Sequence, residues 1–102
     1  MERRAVNATL AAERALGRRP VEMARNNPGY DIRSTDTDGR VFYIEVKGRI
    51  EGSETFTITT NEVTFAQTQG ERHRLALVSV SPAGPARDQI RYVTGAFDRN
   101  YQ

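Results

Sequence analysis

Residues 40–48, which read Arg-Val-Phe-Tyr-Ile-Glu-Val-Lys-Gly, constrain the fold more than any other stretch of the chain. Val41, Phe42, Tyr43, Ile44 and Val46 are apolar at consecutive rather than alternate positions. A strand of that kind has to be covered on both faces, so it belongs at the centre of a sheet with helices above and below it. Patterns that can supply the cover stand on both sides in sequence. Residues 2–17 read as a helix: Ala5, Thr9, Ala12 and Leu16 recur at helical spacing, Val6 and Leu10 widen the stripe, and Gly17 is a natural stop. A second helix starts at a capping box, Thr59-x-x-Glu62, with Ile58 and Val63 at the flanking staple positions. Phe65 and Ala66 carry it on to Gly70.

Further strands are expected at 20–25, 30–35 and 74–80, with an edge strand at 90–94 and an extended piece at 54–58. Asn26–Gly29, Thr37–Gly39 and Pro82–Pro85 separate them as turns. The order is α-β-β-β-α-β plus additions, an α/β (α+β) arrangement with a central mixed sheet flanked by helices. A length of 102 residues predicts one domain over 1–102 with one core and no room for a second. The chain opens directly on a helix with no linker, as a module of a longer protein would.

Composition excludes several classes. There is no cysteine, hence no disulfide and no thiolate metal site, and a reducing compartment such as the cytoplasm is expected. No apolar run approaches the roughly 20 residues of a membrane span, and no apolar segment follows the charged start as a signal peptide requires. The net charge of +2 is a weak pointer to nucleic acid on its own. Position matters more. Of the 15 basic residues a single one, Lys47, is lysine. Arg-biased composition accounts for the rest.

Glu45 and Lys47 are two apart on the central strand and so share a face. Charges inside such a strand are unfavourable unless paired or used. Hairpin register decides what lies opposite. A two-residue loop at Asp38-Gly39 sets Asp31 against Val46. A three-residue loop, Thr37-Asp38-Gly39, has glycine at the left-handed bulge position, pairs Asp36 with Arg40, and sets Asp31 against Glu45. Opposed Cβ atoms are about 4.5–5.5 Å apart, and two carboxylates that close repel unless a cation joins them or one is protonated. Mg²⁺, or Mn²⁺ in its place, is the natural occupant of a hard-oxygen site. Lys47 beside it can orient a water or neutralise charge developing on a phosphate. The competing structural reading makes Asp31 a turn cap and Glu45–Lys47 a surface ion pair, since a bare Glu-x-Lys is unspecific.

The strings Pro28-Gly29-Tyr30-Asp31-Ile32, Ile44-Glu45-Val46-Lys47-Gly48 and Thr59-Thr60-Asn61-Glu62 resemble the C-terminal domain of NO VEIN-type proteins over most of residues 2–80. That family is similar to the PD-(D/E)xK, restriction-endonuclease-like nucleases, which share the element order. The resemblance implies Asp31 and Glu45 as metal ligands, Lys47 as the catalytic amine, and a first-helix glutamate, Glu2, as a third ligand. Glu13 is a rival to Glu2 on the same stripe. It further implies a DNA substrate, association with helicase or restriction-type domains, and specificity supplied by a parent chain or a dimer partner. The alternative of another class is a non-cleaving module that holds DNA or a partner domain. A third is a purely structural domain. Glu62 is read as a cap, Gln67 and Gln69 as a solvated face, His73 as a surface histidine, and Tyr30 and Tyr43 as core aromatics. Arg33 and Arg49 flank the site as phosphate contacts or solvated strand ends.

Overall fold

A computed structural model describes residues 2–25, 27, 29–53 and 55–94. Asn26, Pro28 and Glu54, which entered the turn and strand readings above, lie outside the described residues, as do Met1 and residues 95–102. Helix α1 (Glu2–Ala15) is followed by β1 (Arg19–Glu22), β2 (Ile32–Thr35) and β3 (Val41–Ile50). Helix α2 (Thr60–Gln69), β4 (His73–Val80) and β5 (Gln89–Thr94) complete the order, with short 3₁₀ turns at Gly70–Arg72 and Pro85–Arg87. The strands form one mixed sheet in the order β1-β2-β3-β4-β5. β1, β2 and β3 are an antiparallel meander, β4 runs parallel to β3, and β5 returns antiparallel to β4. Helix α2 makes the β3-to-β4 crossover that a parallel pair requires.

The central strand is the apolar run, and each face receives one helix. Ala5 and Val6 of α1 pack on the face formed by Ile32, Ile44, Val46, Ala76, Val78 and Val80. Residues of opposite parity on the same strands face α2, where Phe65 meets Tyr30 and Tyr43 at ring-centroid distances of 5.0 and 5.6 Å. Gly29 permits this approach. Its φ is +94°, and a Cβ there would stand 2.7 Å from the Phe65 ring.

The stretch 54–58, expected as a strand or an extended piece, joins no strand among its described residues. Both edges of β3 are already taken by β2 and β4, so a strand leaving its end has no ladder to join. The α1 stripe also differs at its end: Ala5, Val6, Thr9 and Glu13 are buried, whereas Leu16 is 57% exposed in the turn beyond the helix. His73, expected at the surface, is buried at 3% exposure and lies edge-on to Phe65.

Candidate functional site

The β2–β3 hairpin places the first two candidate side chains. Asp36 N–H donates to Arg40 O at 2.9 Å, so the loop has three residues, and the ladder runs from Thr35↔Val41 to Ile32↔Ile44. Continued by one step, that register sets Asp31 against Glu45. The chain pivots at that step: Asp31 N–H donates to Ile44 O at 2.9 Å rather than pairing squarely. The pivot turns the Asp31 carboxylate toward β3, where Oδ2 accepts the Val46 N–H at 2.8 Å.

Glu45 and Lys47 project from β3 toward the N-terminus of α2. There the capping box forms as expected, with Thr59 Oγ accepting the Glu62 N–H at 3.2 Å and Thr59 N–H donating to Glu62 Oε1 at 2.8 Å. Glu62 has a second task that local reasoning missed. Lys47 Nζ donates to both of its carboxylate oxygens, at 2.9 and 3.0 Å, and stands 3.5 Å from Glu45 Oε1. The signal was present in sequence, because Thr59-Thr60-Asn61-Glu62 stood among the quoted motif strings. The capping box supplied a sufficient reason for that glutamate and hid the other one.

Three carboxyl groups, Asp31, Glu45 and Glu62, thus adjoin one another with a single ammonium among them. Burial pushes the Glu45 carboxyl well above the ordinary carboxylate range, and its neighbours Glu62 and Asp31 push the same way. Burial also raises Asp31, against the Val46 hydrogen bond that favours its charged form. Burial acts to raise Glu62 too, but bonds from Glu45, the Thr59 backbone and Lys47 outweigh it, so Glu62 stays ionised. Burial works to lower Lys47, and its bond to Glu62 and the charge of Glu45 more than reverse this. If all three carboxyls are ionised beside one Lys47, the cluster carries two uncancelled negative charges. A shared proton relieves that excess in part, and a divalent cation would remove it.

The first-helix candidates separate. Glu2 is exposed and lines a cleft of about 110 Å³ together with Asp31, Glu22 and Arg25, a lining that does not include Glu45, Lys47 or Glu62. Glu13 lies elsewhere, fully buried on the α1 face, where Arg18 Nε and an Arg18 terminal nitrogen donate to its two oxygens at 2.6 and 2.9 Å and Tyr92 O–H donates at 2.7 Å. Its stripe position brings it to a structural ion pair, not to the Asp31 cluster. Among the described residues, no three Asp, Glu or His side chains converge on one point as a ready ligand set. Gln67 is exposed beyond the middle of α2, away from Lys47, and Arg33 is exposed on β2 opposite Tyr43. Arg49, two residues past Lys47, rests its guanidinium over the Phe56 ring at 5.9 Å.

No described helix is long and apolar enough to cross a membrane. Neither the curated proteins nor the solved structures contain a match to the chain. The family model described as Protein NO VEIN, C-terminal, matches residues 1–93, which is nearly the whole length that carries the sheet, both helices and the carboxylate–lysine cluster, and the chain therefore belongs to that family.

Proposed function

We propose that the domain is a metal-dependent phosphodiesterase of the restriction-endonuclease-like type, acting on DNA, with Asp31 and Glu45 as metal ligands and Lys47 as the catalytic amine. The single observation that carries this reading is the crowding of the cluster: Glu45, 5% exposed, adjoins the carboxyl groups of Asp31 and Glu62, with Lys47 the one ammonium beside them. The donor set fits Mg²⁺ or Mn²⁺, which are commonly held by one or two carboxylates with waters and substrate phosphate completing the shell. Such an ion, when bound, supplies Lewis-acid polarisation of the phosphate and a more acidic water. The chain's own residues set the geometry. The Val46 N–H and the pivot at Ile44 fix the Asp31 carboxylate, the strand fixes Glu45, and the doubly bonded Glu62 holds the Lys47 ammonium where negative charge would grow on a phosphate.

A second reading has its own observation. Lys47 is held by Glu62 through two hydrogen bonds, and Glu62 is itself tied into the helix cap. A module that keeps this clasp closed would hold DNA or a partner domain without cutting. Cleavage of supercoiled plasmid and of single-stranded DNA in Mg²⁺ or Mn²⁺, with Lys47→Ala beside the unmodified chain, separates the two. The nuclease reading expects metal-dependent nicking that falls at least about 100-fold in the variant. DNA binding with no metal-dependent product from either protein would leave the module reading.

A further inference from the structure

The two faces of the sheet are not equally covered. On the α1 face, Ala76 and Val78 of β4 are fully buried. On the α2 face the next residues of the same strand, Leu77 and Ser79, are only partly buried, because α2 sits over the Tyr30–Tyr43 side and touches β4 mainly near His73. The β4–β5 half of this face is a shallow groove of about 220 Å³ lined by Arg49, Leu77, Ser79, Gln89, Ile90 and Arg91. No carboxylate belongs to that lining, and among the described residues neither Arg49 nor Arg91 has an acidic partner.

Register connects the groove to the cluster. Lys47 is beside Leu77, and Leu77 is beside Arg91, so these three form one row across β3, β4 and β5. Arg49, Ser79 and Gln89 form the next row. With strands about 4.8 Å apart, Arg91 stands roughly 10 Å from Lys47 across the sheet, and Arg49 is about 7 Å from Lys47 along β3. Two planar cations with no carboxylate partner among the described residues, and the half-buried Phe56 ring against one of them, continue outward from the candidate catalytic lysine. Guanidinium groups match phosphate geometry, and a basic track with an adjoining aromatic ring suits a single-stranded polynucleotide.

We infer that Arg49 and Arg91 form the track that carries the sugar–phosphate backbone of a single-stranded nucleic acid to the Asp31–Glu45–Lys47 cluster. The inference rests on the phosphodiesterase reading for the destination of the strand, but not for the existence of the groove. The test is fluorescence anisotropy of a labelled single-stranded oligonucleotide of about 20 nucleotides, in EDTA, across a salt series. Three proteins are compared: the unmodified chain, Arg49→Ala/Arg91→Ala, and Arg14→Ala/Arg87→Ala as a control of equal charge with both changes elsewhere on the surface. Thermal melts of all three establish that each is folded.

The track predicts that the groove variant binds at least tenfold more weakly, with a salt slope lower by about 1.4, as two lost phosphate contacts require. The control should move less than twofold. Equal weakening of both variants would reduce the effect to net charge and overturn the inference. So would an unmodified chain that does not bind. A chain that sediments as a dimer, separates in the groove variant and binds the oligonucleotide unchanged would also overturn it, since the face would then be a self-interface. Cleavage in Mg²⁺ is read separately. Binding that depends on the groove with no product keeps the track and sinks the phosphodiesterase. Cleavage indifferent to Arg49 and Arg91 does the reverse.

Discussion

Both faces of the sheet bury charge, and they treat it in opposite ways. On the α1 face, Glu13 is fully enclosed, but every oxygen has a donor: two from Arg18 and one from Tyr92, with the Ser34 hydroxyl nearby though not in hydrogen-bonding geometry. Burial alone would raise its carboxyl, and those donors reverse the effect, leaving it below its ordinary value. On the α2 face, Asp31, Glu45 and Glu62 share one lysine, and Glu45 is driven far upward. A buried charge that is fully matched belongs to the scaffold. A buried group of charges that is not matched is either a defect or a place prepared for something absent from the chain, and this contrast is what separates Glu13 from Glu45.

The largest break of that contrast is Glu13→Ala. It strands a largely buried guanidinium and removes the acceptor of the Tyr92 hydroxyl, so urea unfolding at pH 7 should show a loss of about 3 kcal/mol. The effect should also depend on pH in a definite direction. The folded carboxyl lies below its unfolded value, so its contribution is full above an unfolded pKa of roughly 4.3 and disappears as pH falls through the folded value. The gap between the unmodified chain and Glu13→Gln should therefore narrow in acid and stay constant from neutral pH into the mildly alkaline range.

A smaller loss, about 2 kcal/mol, is expected from Gly29→Ala, which combines a left-handed backbone with a Cβ driven against Phe65. Because Phe65 seats α2, this change should also loosen Glu62 from Lys47, visible as faster amide exchange at the start of α2. The smallest change should have the opposite sign. Glu45→Gln keeps shape and hydrogen-bonding capacity while removing a crowded carboxyl group, so the free energy of unfolding at pH 7 should rise by about 1 kcal/mol. The same change should abolish any metal-dependent cleavage. A Glu45→Gln variant as unstable as Glu13→Ala would erase the distinction between the two faces.

The parts legible in sequence were the local ones. The two-sided apolar run identified β3, one of the two registers that the turn at Thr37–Gly39 allowed is the one the Asp36–Arg40 bond shows, and the capping box located the start of α2. Contacts across long separations were not legible. Glu13 meets Tyr92 79 positions away, and nothing around either residue announces the other. His73 looked like a surface histidine because it precedes a strand, yet the aromatic group gathered by Tyr43 and Phe65 encloses it. Glu62 was read correctly as a cap but incompletely: its one satisfying local role drew attention away from the second, to Lys47, that the motif string also carried. The resemblance favoured Glu2 over its rival Glu13 on the same helical stripe, and the packing of α1 against β1 and β5 is what separates their surroundings.

The tie between α1 and the end of the sheet also bears on how the chain is made. Arg4 bonds Asp88 and the Ser81 carbonyl, and Glu13 accepts from Tyr92, so α1 is tied to the segment between β4 and β5 and to β5 itself. The meander and its hairpin can close within microseconds of leaving the ribosome. The helix that emerged before them has no place to bury Glu13 until residue 92 is free. Until then the α1 face of the sheet lacks its polar lock, so the packing of α1 is expected to be completed only when β5 joins the sheet.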